Sequence, residues 1–366
     1  MTRTEAYVAL NLLPQVGPVR VSKLLAAFGT PEKILAAKPT ELARVDGISR
    51  TQADTIAEWE TQVDLAGELT KIQDRELTLL TREDELYPPL LREVHSAPFL
   101  LYVWGKLAPK DHHAIGVVGS RNFTPYGREA AKKLSFQIAY AGYTVVSGLA
   151  RGIDTVAHES SLAAKGRTVA VIGSGIGQLY PPENLALAER IASNGAVVSE
   201  YPVDRLADKQ TFPYRNRIVA GWSCGLLVVE APARSGSLIT AQQAIEQGRT
   251  VFAVPGPINK PTSTGCNRLI QQGAKLVMDG NDILDDLMTL FPTAPQAPKV
   301  EESAPQASLT LDERILYDAI GTDEAHIDEI TTRSGLNPAT VSPNLMRLEM
   351  KRLIRALPGR RYTRLV

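Results

Sequence analysis

The chain has 366 residues, with forty basic and forty acidic side chains and a formal net charge of zero; 44% of its residues are hydrophobic and 22% charged. That length exceeds one ordinary domain of roughly 100 to 200 residues, and the composition excludes a disordered, collagen-like or membrane-embedded chain. With no global charge to draw the chain to a polyanion, any basic surface has to be local.

Residues 1–75 carry one short pattern twice, LLPQVGPVRVSKLLAAFG from Leu12 and LARVDGISRTQADTIAEW from Leu42, each reading as helix, tight turn and helix. This is helix-hairpin-helix spacing, in which hairpin N–H groups and the N-terminus of the second helix can meet a DNA phosphate without reading sequence. Only Arg20, Lys23 and Arg50 supply positive charge near the turns, so a helical bundle used for packing or protein contact is the other reading. The opening MTRTEAYVALNLLPQVG has neither the apolar run nor the small-residue cleavage site of a signal peptide, and no run approaches the roughly 18 apolar residues of a membrane span. The expectation is a cytoplasmic protein. Cys224 and Cys266 lack CxxC or Cys/His spacing, which argues for reduced core thiols and against a disulfide framework or a zinc site.

A soft boundary follows across residues 86–113, a stretch expected to pack on the next domain, and residues 76–290 are expected to form the core. From Ala114 the apolar runs AIGVVGS, TVVSG, TVAVIGS, AVVSE, GLLVVEA, TVFAVPG and KLVMDG alternate with amphipathic helices. Such runs mean buried strands of a mostly parallel sheet covered on both faces: a doubly wound, Rossmann-like α/β fold. Residues 291–309, rich in Pro, Ala, Gln and Glu, read as a flexible linker. Residues 310–366 read as three helices and an extended pair around Pro358-Gly359, a winged helix. After Arg347 come Lys351, Arg352, Arg355, Arg360, Arg361 and Arg364 against one acid, Glu349, which suits double-stranded DNA or a protein partner; the two readings stay open.

In an open parallel sheet, ligands lie beyond the carboxyl ends of the strands. Here those ends carry Gly119, Ser120 and Arg121 in GSR; Gly148, Arg151 and Gly152 in SGLARGID; Gly175 in GSGIG, followed by Tyr180; and Ser235, Gly236 and Ser237 in ARSGSLITA. FPYRNR adds Phe212, Arg215, Asn216 and Arg217. Glycine turns that open helices offer N–H groups to anions, and guanidinium forks match phosphate oxygens. One mononucleotide engages one or two such groups. Arg121, Arg151, Arg215, Arg217 and Arg234 on one rim, with Phe123, Tyr180, Phe212 and Tyr214 nearby, point to several phosphates in a row and stacked bases, hence to single-stranded DNA. The first turn lacks GxGxxG and its partner acid, and there is no GxxxxGK[ST], so neither a nicotinamide cofactor nor ATP is expected. Asp154 and His158, four apart on one helix, are candidates for a general-base pair or a structural one.

Together GSR, SGLARGID, AVIGSGIG, YPPEN, SEYP, FPYRNRIVAG, RSGSLITA and VPGPIN with GCNRLI resemble the DNA-processing protein A family, DprA or Smf, over residues 79–287 and in the additions at both ends. The resemblance implies a non-catalytic, sequence-independent binder of single-stranded DNA. It implies a bacterial cytoplasmic protein that protects incoming strands during natural transformation, loads the RecA recombinase and dimerises through its core, with no cofactor. It also implies that Arg121 is a phosphate clamp and that the other rim turns are pocket walls. Several relatives place a lysine after Tyr-Pro; Pro182 stands there in this chain, so compensation by Arg151, Arg215 or Arg217, or a weaker affinity, is expected. The enzyme alternative, a Rossmann-like phosphoribohydrolase of nucleoside monophosphates, needs PGGxGTxxE, whereas ARSGSLITAQQ lacks the glycine pair and the acid. A third reading is a scaffold whose helical and winged-helix parts recruit partners.

Overall fold

In the computed structural model, which describes residues 1–290, 309–320, 325–351, 353–357 and 359–364, nine strands of the described residues form one sheet. They are β1 Thr78–Thr81, β2 Leu100–Gly105, β3 Ala114–Val118, β4 Thr144–Ser147, β5 Thr168–Ile172, β6 Ala196–Ser199, β7 Gly225–Val228, β8 Thr250–Ala253 and β9 Lys275–Leu276. Their order is β1-β2-β6-β5-β4-β3-β7-β8-β9, parallel from β6 to β9, with β1 and β2 antiparallel at one edge. The seven runs expected from the sequence are all strands. Two further strands extend the sheet at one edge: β2 comes from the segment expected only to pack on this domain, and β1 precedes that segment.

The central strands β3 to β7 are buried at every position, mostly by apolar side chains that face both layers of helices. Ile115 and Val117 of β3 and Leu227 of β7 face one layer with Leu134, Ile138 and Val156, while Ala114, Val118, Leu226 and Val228 face the other with Ile218, Trp222 and Ala241. That is the two-residue period of a strand meeting helices on each side. The chain leaves β3 toward β4, β5 and β6 in one direction and later starts β7, β8 and β9 in the other, so the topological switch point lies between β3 and β7.

The described residues fall into two compact units divided near residue 298. The N-terminal helices, including Arg3–Leu12, Pro18–Phe28, Arg50–Ala57 and Leu65–Asp74, belong to the same unit as the sheet. Their apolar faces share one cluster with it, in which Tyr7, Leu10, Leu24 and Ile56 pack with Phe99, Tyr102 and Ile191. Polar ties reinforce the seam: the Asn11 amide donates to the Glu200 carbonyl at 3.1 Å, and the Val203 N–H donates to the Glu68 carboxylate at 2.7 Å.

The second unit has helices Leu311–Ala319, Ile327–Ser334 and Pro338–Met350 and a small sheet of β10 Ala325–His326, β11 Ile354–Leu357 and β12 Arg361–Arg364 in the order β10-β12-β11. Leu316, Ile330, Leu345, Leu348 and Ile354 form its core. This is the expected winged helix. Two of its basic groups serve its own fold: Lys351 bonds Glu313 at 2.7 Å, and Arg364 donates to the Tyr317 carbonyl at 2.9 Å. Residues 291–308 of the expected linker, along with Arg352 and Pro358, lie outside the described residues.

Candidate nucleic-acid interface

The crevice at the switch point is built by backbone before side chains enter it. After β3, the Ser120 N–H donates to the Glu230 carbonyl at 2.7 Å and the Ser120 carbonyl accepts from Ile153 at 3.1 Å, tying the turns after β3, β4 and β7 together. Gly152 has φ +91°, and a Cβ there would lie 2.3 Å from the Ser120 carbonyl oxygen, so only glycine lets these loops meet. Asp154 holds the turn after β4: its carboxylate accepts from the N–H groups of Gly148 at 3.1 Å and Ala150 at 3.3 Å. Glu230 does the same for the next helix, accepting from the Thr124 N–H at 2.9 Å. Ser235 caps the Gly236–Glu246 helix, whose N-terminus faces the crevice.

These turns enclose a cleft of about 580 Å³ lined by Gly119, Ser120, Arg121, Lys209, Phe212, Arg215, Asn216, Arg234, Ser235, Gly236 and Ser237. It runs into a small recess formed by Gly148, Arg151, Tyr180 and Pro181, with Arg121, Phe212 and Arg215 shared between the two. The side chains of Arg121, Lys209 and Arg234 are exposed and have neither an ion pair nor a hydrogen bond to another described residue. The Arg121 guanidinium lies 5.4 Å from the centroid of Phe212, which in turn meets Tyr180 with centroids 5.7 Å apart. Arg151 lies 5.8 Å from the Tyr180 centroid but is paired with Glu183, and this pair holds the Glu183 carboxyl below its ordinary pKa. Cations and ring faces therefore alternate along the cleft, an arrangement that can neutralise successive phosphates while presenting π surfaces to bases.

Three expected site residues have other occupations. Arg215 is only 4% exposed; its Nη1 donates to the carbonyls of Gly148 and Val171 and its Nε to Asn216 Oδ1 at 3.1 Å. It forms the floor of the cleft, with its pKa lowered by burial against the opposing pull of Asp154. Arg217, two positions on, turns away from the rim and is buried against Glu200, its Nη2 donating to both carboxylate oxygens. Helical geometry is the reason: residues i and i+2 do not share a face. Gly175 is outside the cleft, its N–H donating to the Arg205 carbonyl at 2.8 Å.

Asp154 and His158 do not pair. The Thr168 hydroxyl donates to the Val145 carbonyl at 2.7 Å and so accepts from His158 Nδ1 at 2.7 Å, which leaves Nε2 buried without a partner. Burial lowers the His158 pKa to about 3 and raises that of Asp154 to about 6. Sequence reasoning passed over Lys209 and Glu183. Lys209 carried a signal, a basic residue just ahead of FPYRNR; Glu183 carried none, because only the fold brings it to Arg151. Among the described residues no three metal-ligating side chains gather, and no helix is long and apolar enough to cross a membrane.

A Rossmann-like sheet with a cationic, aromatic crevice at its switch point, a tandem helix-hairpin-helix segment and a winged helix defines a DNA-processing protein of recombination. Residues 78–288 match the family model described as DNA recombination-mediator protein A, residues 300–360 that of the DprA winged helix domain and residues 9–58 a SAM-like helix-hairpin-helix tandem. The chain belongs to the DprA/Smf family. It is 35% identical over 356 residues to Protein Smf of Synechocystis, covering 96% of this chain and 87% of that one. The crystal structure of DNA processing protein A from Streptococcus pneumoniae superimposes with a TM-score of 0.70 at 36% identity, covering 78% of this chain and 98% of that one. The protein of the same name from Helicobacter pylori, whose structure is described in terms of its single-stranded DNA binding mode, gives 0.53 at 27% identity over 60% and 97% of the two chains.

Proposed function

We propose that this protein binds single-stranded DNA without sequence preference along the switch-point cleft and delivers it to the RecA recombinase, working as a carrier without catalysis. The observation that carries the reading is the row of cationic groups without partners, Arg121, Lys209 and Arg234, beside the ring faces of Phe212 and Tyr180. Each cation can take a phosphate in a charge-assisted hydrogen bond, and nothing in the row reads base edges, which fits sequence-independent binding. The single-strand preference follows from the rings, since a duplex keeps its bases stacked on one another and offers no face to Phe212. The Helicobacter pylori relative supports the same ligand class.

Recombinase delivery and a homodimer through the Rossmann-like core come from the family resemblance, and a cytoplasmic location is the one they require. The test is a mobility-shift comparison of single and double strands with the full-length protein and Arg121→Ala. Selective binding of single strands that weakens in the variant is expected. Equal affinity for duplex, or an Arg121→Ala protein that binds like the wild type, would sink the reading. RecA delivery is read separately, by whether the protein speeds RecA filament formation on strands already coated with single-strand binding protein. Light scattering of the purified chain tests the dimer.

A further inference from the structure

We infer that the seam between the first helical hairpin and the sheet is a second nucleotide site, taking a phosphate and base beyond those held in the rim cleft. This extends the reading of the rim as a single-strand track and rests on it. The seam encloses a cavity of about 620 Å³, within the range of roughly 300–1,000 Å³ typical of small-molecule sites. One wall is the hairpin turn with Gly17, Arg20 and Lys23; the other is Tyr201, Tyr214 and Arg217.

The connection between the two sites is the Thr211–Trp222 helix. Phe212 and Arg215 line the rim cleft, whereas Tyr214 and Arg217 line the seam. A strand crossing the first turn of this helix would meet Phe212 on the rim side and Tyr214 on the seam side.

The chemistry of the seam is that of an anion site with ring faces. Arg217, 6% exposed, uses Nη2 on Glu200, while its Nε and Nη1 are buried with no partner. Arg20 donates from Nη1 to the Gln15 carbonyl at 2.9 Å, and its Nε is likewise buried without a partner. Desolvated guanidinium donors without acceptors are uncommon, and a phosphate oxygen satisfies them. Lys23 lines the cavity but is paired with Asp46 at 2.6 Å, so the donors left for an anion are those of Arg20 and Arg217. Tyr214 is 62% exposed and, with Tyr201, offers a base a surface to stack on.

The test is fluorescence anisotropy on the full-length protein with two labelled oligothymidylates, one just filling the rim cleft and one long enough to reach the seam. Arg20→Ala and Tyr214→Ala leave the buried Arg217–Glu200 pair in place. Each is expected to weaken the long oligonucleotide by roughly three- to tenfold and leave the short one unchanged. Arg121→Ala is expected to weaken both. Wild-type binding of the long strand by both seam variants overturns the inference, whatever Arg121→Ala does. An inert Arg121→Ala beside impaired seam variants overturns the rim reading and leaves the seam as the primary site. Titration with dTMP separates the sources of the nucleotide. Saturable binding that disappears in both seam variants assigns a free nucleotide to the site, and no binding together with a long-strand defect assigns the strand. Thermal unfolding at the wild-type midpoint verifies that the variants are folded.

Discussion

Arg121 at the rim and Arg217 beneath it show how one residue type acquires opposite roles on the same sheet. Arg121 follows β3 in a turn held by backbone bonds and by the side chains of Ser120 and Glu230, stays exposed, and touches nothing charged with opposite sign; its neighbours are a ring and the like-charged Arg215. Arg217 stands on a helix whose inner face is apolar, where a desolvated guanidinium needs a partner, and Glu200 supplies one. Arg215 lies between the two, desolvated like Arg217 but answered by backbone carbonyls. The difference lies in what meets each guanidinium within the fold: Arg121 meets a ring and no carboxylate, whereas Arg217 commits Nη2 to Glu200 and keeps only its remaining donors for a ligand.

The widest break in that contrast comes from Arg217→Ala. It leaves the Glu200 carboxylate buried without its partner, and burial already pushes the Glu200 pKa upward. Truncating one member of such a pair destabilises by about 3 to 5 kcal/mol. Urea unfolding should show a lower midpoint at an unchanged slope. Replacing both residues with methionine should restore most of the loss, and a double variant as unstable as the single one would contradict a pair-based explanation.

A smaller effect separates the two titrating groups behind the rim. His158 is held neutral, with its pKa near 3 against about 6.5 in an unfolded chain, so its contribution to stability is complete above pH 6.5 and lost as pH falls toward 3. Asp154 runs the other way: with a folded pKa of about 6 against about 3.9 unfolded, its contribution is present below pH 4 and lost as pH rises through 6. Between about pH 4 and 6 the two nearly cancel, each at about 1.4 kcal/mol per pH unit. His158→Asn keeps a polar atom within reach of Thr168 and removes the imidazole. Stability of the variant relative to wild type should then rise on acidification by about that slope, and a pH-independent difference would show that His158 does not titrate with unfolding.

At the rim itself, Arg121→Ala should leave the unfolding midpoint where it is, since the side chain bonds to no described residue, and lower affinity for oligothymidylate about tenfold. The slope of log affinity against log salt should fall in magnitude by about one, because one phosphate fewer is neutralised by the protein and its counterion stays on the strand. A tenfold weakening with an unchanged salt slope would assign Arg121 to ring stacking in place of phosphate.

Much of this organisation is legible in the sequence. The seven parallel strands announce themselves as Val/Ile runs, and the glycine turns after them place the crevice, because both signals are local. The edge strands β1 and β2 are not legible: TLLT is short, and LLYVWG joins the sheet antiparallel to β6, a pairing fixed nearly a hundred residues away. The rim arginines are legible as a set and illegible one by one. Glu200 in SEYP and Glu183 in YPPEN carry no mark of the guanidinium each will meet, so Arg217 and Arg151 look like Arg121. Gly175 misleads for a similar reason, since its turn is closed by the Arg205 carbonyl from a loop with no recognisable motif.

Arg151 provides the finest test, because it stands between the extremes. It is half exposed and belongs to the cleft recess, yet its Nε is held by the equally exposed Glu183. An ion pair in that position is weak and screened by salt, so a phosphate arriving beside Tyr180 competes with the carboxylate for the same guanidinium. Glu183→Gln removes the competitor and the local negative charge while keeping the side-chain length. Affinity for single strands should rise by roughly two- to fivefold at low salt, the advantage shrinking as salt is added. Arg151→Ala in the Glu183→Gln background should abolish the gain. If Glu183→Gln binds no better than wild type, Arg151 is a structural strut of the recess, and the row of candidate phosphate-binding cations ends at Arg121.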